Sequence, residues 1–168
     1  MGRKSIRENK TAYQQAREKL GYTLEEAGEL IDGLSSERIT RIENGSVRVQ
    51  PEDVVLMAEG YKAPELRNYY CSHECAIGRA SVKEIEKKSF AQIAIETVNA
   101  LNRLSMQKDR LLEIVEDGQV RPDENKDFLE IKETLEKIAD SVSAMQLWVD
   151  VQIAEGKLDR EIFENKKD

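Results

Sequence analysis

Three prolines and nine glycines in 168 residues are too few for the many turns of an all-β fold. Aromatic side chains make up only 5% of the chain, so its core has to be aliphatic. With a single histidine, any Ser–His or Cys–His pair would have to use His73, and no orienting group is visible beside it. Glycine-rich phosphate cradles, G-x-S-x-G elbows and H-E-x-x-H zinc motifs are missing, so no enzymatic activity is expected and no cofactor is implied. No apolar run approaches the roughly 18 residues of a membrane span, and no apolar secretory segment follows the basic start. A soluble, cytoplasmic chain with no membrane partner is expected.

What the chain has in abundance is charge. Asp, Glu, Lys and Arg make up 35% of it, threaded through by regularly spaced apolar residues, a pattern that points to an all-α protein. The net charge of −7 is unevenly spread. Residues 1–70 carry 11 basic and 12 acidic side chains, and residues 71–168 carry 15 and 21. The first ten residues run the other way, with Arg3, Lys4, Arg7 and Lys10 against Glu8 alone. Overall acidity therefore does not exclude a nucleic-acid partner, because the distribution decides.

Residues 1–10 read as a basic arm. Five short helices are expected over residues 11–70. The first runs from Thr11 to Gly21, and Thr23 to Glu26 forms a capping box for the second, which stops at Asp32-Gly33. Ser35 caps a third that buries Ile39 and Ile42 and closes at Asn44-Gly45, Pro51 opens a fourth, and Pro64 a fifth. Residues 71–80 form a junction. Ser81 to Glu84 reads as another capping box, and no Pro or Gly interrupts the chain from there to Gly118, which predicts one long helix. Pro122 starts its partner, in which Phe128, Ile131, Leu135, Ile138, Val142, Met145 and Val149 repeat at 3,4 spacing. That repeat is an a/d seam of coiled-coil type, and its residues are expected to carry dimerisation. Residues 81–156 are thus expected to be a long antiparallel helical hairpin, followed by a charged tail over 157–168. A hairpin of two helices leaves Leu147, Trp148 and Val151 unpartnered, so homodimerisation into a four-helix bundle is expected, with docking on the chain's own first domain as the alternative.

Residues 11–61 resemble the Cro/phage-repressor (XRE-type) helix-turn-helix family. The resemblance rests on Thr23-Leu24-Glu25-Glu26-Ala27, on Ser35 through Gly45, and on the helix from Pro51 to Gly60. The string from Ile39 to Gly45 follows the family's I-[ST]-x-[IW]-E-x-G pattern nearly residue for residue. The physical reading is independent: a short helix, a glycine-containing turn and a second helix are what a reader of the major groove requires. With Ile39 and Ile42 inward, Ser36, Glu37, Arg38, Thr40 and Arg41 turn outward, and such side chains can pair with base edges. The resemblance implies base reading by Ser36, Glu37, Arg38 and Thr40, and phosphate contacts by Thr23 and Asn44. Arg41 is expected on a phosphate, and Arg3 and Lys4 on double-stranded DNA beyond the reader. Leu24 stands where the family often has Gln, the turn at Asp32-Gly33-Leu34-Ser35 is one residue longer than usual, and Gly28 replaces the usual Ala. These departures imply a changed angle between the two helices. The implied function is a dimeric, sequence-specific transcriptional regulator. The alternative is a protein-interaction adaptor whose acidic hairpin engages another protein.

Cys71, His73 and Cys75 bring both cysteines and the only histidine into five residues. Three candidate ligands fall short of the four of a structural zinc site, so reduced thiols packed at the junction are expected, with a metal- or redox-responsive regulator as the alternative.

Overall fold

Local capping sets the lengths of the first helices. In the computed structural model, which describes residues 10–116 and 118–164, Thr11 accepts from the Gln14 amide and starts α1 (Ala12–Lys19). Thr23 and Glu26 close the expected capping box on α2 (Leu24–Leu30). Ser35 accepts from the Arg38 amide and opens α3 (Ser36–Glu43), and Pro51 occupies the first position of α4 (Pro51–Gly60). α5 (Glu65–His73) follows Pro64. All regular structure among the described residues is helical, as the composition requires.

These helices share one aliphatic core. Ala27 of α2 and Ile31 just after it meet Ile39 and Ile42 of α3, Val54 and Met57 of α4 and Leu66 of α5, with Tyr13 of α1 closing one side. Leu34, in the turn between α2 and α3, is buried with them, which ties that turn to the core. Tyr13 spans further: its hydroxyl donates to Glu74 at 3.1 Å and its ring meets Tyr69 edge-on at 5.9 Å. Burial and the Glu74 carboxylate together hold the Tyr13 phenol well above its ordinary pKa.

After α5 the chain turns sharply into α6 (Gly78–Ser81). Only glycine fits at position 78, since a Cβ there would sit 2.1 Å from the Cys71 carbonyl oxygen. The long helix expected from Ser81 begins later. Ser81 donates its hydroxyl to Ile77 and caps nothing, while Asn68 binds the chain beyond it. Its amide donates to the Lys83 carbonyl at 3.0 Å and its carbonyl accepts from the Ile85 amide at 2.8 Å. This pairing holds the segment non-helical, so Ser89 becomes the cap of α7 (Phe90–Val115).

α7 and α8 (Asn125–Ala154) run about 39 and 45 Å at 1.5 Å per residue. They lie antiparallel: Arg110 donates to Asp127 at 2.6 Å near the loop, and Phe90 packs on Trp148 at 4.9 Å at the open end. Glu86–Trp148 is one compact unit, and the remaining described residues, which include the short α9 (Arg160–Glu164), belong to another. No described helix is long and apolar enough to cross a membrane.

Candidate nucleic-acid interface

Two close contacts fix α3 in place. Gly28 of α2 faces the start of α3, where an added Cβ would lie 2.6 Å from the Ser36 backbone nitrogen. The other end is held by charge. Arg17 of α1 donates from Nε and Nη2 to the two carboxylate oxygens of Glu43, at 2.7 Å each, and from Nη1 to the Tyr22 carbonyl. Both partners are buried, and the hydrogen bonds to Glu43 raise the Arg17 pKa above its ordinary value against the opposing effect of burial. The glutamate of the I-x-R-I-E string is therefore a structural anchor.

With its ends fixed, α3 buries Ile39 and Ile42 and turns its other faces outward. Glu37, Arg41 and Asn44 are exposed, and Ser36 and Thr40 are half-buried. The Thr40 hydroxyl donates to the Ser36 carbonyl at 2.7 Å, leaving its oxygen and methyl group to face outward chemistry. Thr23 is half-buried at the start of α2, where its side chain accepts from the Glu26 amide and its own amide donates to the Glu26 carboxylate. The bond from that amide draws the Glu26 carboxyl below its ordinary range. Arg3 and Lys4 lie outside the described residues.

Arg38 differs from the expectation of an outward base reader without a structural role. Its guanidinium reaches Asp53 of α4, with Nη2 donating at 2.6 Å and Nε at 3.3 Å, and also donates to the Arg48 carbonyl. Asp53 in turn accepts from the Gln50 amide at 2.9 Å. Burial tends to raise the Asp53 carboxyl, yet the bonds from Arg38 and Gln50 outweigh it and the pKa falls below the ordinary value. Arg38 thus ties α3 to α4 and to the loop before it. Because the folded carboxyl titrates below its unfolded reference of about 3.9, the stability it lends is complete above that pH and is lost as pH falls through the lower folded value. Asp53→Asn is expected to remove this part of the acid dependence, read from melting curves between about pH 2 and pH 5.

The junction residues go to separate partners. α5 ends at His73, so Cys75 is not on a shared helical face with Cys71. His73 stacks on Tyr69 at 4.6 Å, its Nδ1 lies 2.9 Å from the Ser72 hydroxyl, and its Nε2 lies 3.5 Å from Glu84. The Cys75 sulfur accepts from the Gly78 amide at 3.4 Å, and that amide with that of Ile77, beside Arg48 and Arg79, lowers the thiol pKa. Among the described residues no group of three His, Cys, Asp or Glu is placed to hold a metal.

Residues 14–68, about a third of the chain, match the family model of a helix-turn-helix domain, a family associated with XRE-like regulators. The first domain is a helix-turn-helix domain, and such a domain suggests a DNA-binding regulator. Neither the curated proteins nor the solved structures gave a match.

Proposed function

We propose that the chain is a cytoplasmic, non-enzymatic transcriptional regulator that reads double-stranded DNA sequence-specifically as a homodimer, with α3 in the major groove. The observation that carries this reading is the exposed row of Glu37, Arg41 and Asn44 on a helix whose ends are fixed by Gly28 and by the Arg17–Glu43 pair. A reader must hold its side chains in one geometry, and these anchors do so. Ser36, Glu37 and Thr40 meet base edges, Arg41 and Asn44 meet phosphates, and Thr23 presents the N-terminus of α2 to the backbone. Arg38 positions the helix through Asp53 and is not the main base contact. Arg3 and Lys4 of the basic arm add charge against the phosphates. Two copies would place their reader helices about one helical turn apart on a palindromic site.

Two substitutions separate reading from positioning in a gel-shift series. Glu37→Gln is expected to change base preference at one position per half-site, worth about 1–3 kcal/mol. Arg41→Ala is expected to weaken all sequences alike and to lower the salt slope by about one for each copy bound. Unchanged affinity and selectivity in both variants would favour the adaptor reading, in which the hairpin engages another protein.

A further inference from the structure

The hairpin spends little of its apolar surface on itself. The stripe of α7 facing α8 buries Ile93, Ala100 and Ile114, and its middle includes Thr97 and Gln107, whose carbonyl oxygen is buried without a hydrogen-bond partner. Helix α8 buries Ile131, Thr134, Ser141, Ala144 and Leu147. Small and polar side chains thus share the buried positions with Ile93, Ile114, Ile131 and Leu147, and further large apolar residues stand exposed. On α7 they include Phe90, Ile95 and Met106, and a stripe of Val98, Leu101, Leu112 and Val115 that is between 49% and 56% exposed. On α8 they are Phe128, Leu135 and Val142, between 37% and 48% exposed and seven residues apart.

At about 100° per residue, each outer stripe is rotated from its inner stripe by roughly a quarter turn, and in the same sense along both chains. Because the helices are antiparallel, equal rotation brings both outer stripes to the same side of the hairpin. The opposite flanks are charged, with Arg103 and Glu113 on α7 and Glu130, Glu133 and Lys137 on α8, all exposed. The hairpin therefore has one largely apolar side and one largely charged side, the latter also carrying the exposed Met106. Lys108, also exposed, interrupts the apolar side on α7.

We propose that this apolar side is covered by the same side of a second copy of the chain, completing a four-helix bundle. This deepens the homodimer reading above by naming its surface. The exposed apolar area on these seven residues is on the order of 600 Å² per copy, so two copies remove about 1,200 Å², the lower bound of specific interfaces. A patch of that size is at the upper limit of what monomers leave in water. A twofold pairing needs a self-complementary surface, and stripes whose only charge is Lys108 meet themselves with little like-charge repulsion. The charged flanks are left in solvent.

The test is sedimentation velocity on the full chain at micromolar concentration, alongside circular dichroism. Wild type is expected to be a dimer, and Leu101→Glu/Leu135→Glu a helical monomer. Should that variant lose its helicity, Leu101→Ala/Leu135→Ala carries the test, with a dimer dissociation constant raised at least about 100-fold. Glu133→Gln/Lys137→Gln on the charged side should leave the dimer unchanged. A monomeric wild type, or a dimer that the Ala and Glu pairs leave intact, would overturn the proposal. The DNA-reading proposal fails separately: a dimer broken by these substitutions that selects no DNA sequence would overturn that reading and support this surface.

Discussion

Replacing Glu43 with Gln is expected to lower the unfolding free energy of the first domain by about 3–5 kcal/mol. The substitution leaves the Arg17 guanidinium buried, with its Tyr22 contact but without the carboxylate that Nε and Nη2 now share. An uncompensated buried charge is the costly state, whereas removing both charges is often close to neutral. Arg17→Met/Glu43→Leu should therefore recover most of the loss. Urea unfolding of the three proteins measures both effects. A double variant as unstable as the single one would show that packing, and not the charge pair, accounts for the loss.

Gly28→Ala is the second large effect, and it acts on function as much as on stability. Alanine is the better helix former by up to about 1 kcal/mol, so propensity alone predicts a gain. The structure predicts a loss, because the new methyl group would approach the Ser36 backbone nitrogen to 2.6 Å and its Cα to 3.1 Å. Backbone cannot swing aside as a side chain can, so α2 and α3 must separate, at a net cost of about 1–3 kcal/mol. The shift moves Ser36, Glu37 and Thr40 together, and DNA affinity should drop by about tenfold or more on every sequence. A variant more stable than wild type with unchanged affinity would contradict the close packing.

The first five helices were legible because each carries its own local signal. Thr11, Thr23, Ser35 and Pro51 act where they stand in the sequence, and the Ile39–Ile42 spacing fixes the buried side of α3. The departure at Gly28 was also visible, although its physical reason, the closeness of Ser36, required the fold. Long-range partners were not legible. Asp53 lies 15 residues from Arg38, and nothing in the spacing says that the pair will meet. Asn68 likewise reaches 15 and 17 residues ahead to hold the Lys83–Ile85 segment, overriding the capping box read at Ser81.

The second helix of the hairpin shows a different limit. The residues expected at a dimer seam divide between two stripes. Ile131 is buried in the hairpin's own seam, with Ile138 and Met145 half-buried, while Phe128, Leu135 and Val142 are exposed and Val149 is half-buried. Both stripes repeat at heptad spacing and lie about 40–60° apart around the helix. A pattern that counts apolar residues favours the outer one, because Thr134, Ser141 and Ala144 disguise the inner one.

The measurement that bears most directly on the central claim is selection of bound duplexes from a random-sequence pool by the full chain at physiological salt. Enrichment of a palindromic motif with half-sites one helical turn apart, or a multiple of it, is expected, as is loss of that motif in Glu37→Gln/Thr40→Ala. A pool that stays random after several rounds, under conditions where the wild type is folded, would contradict the claim.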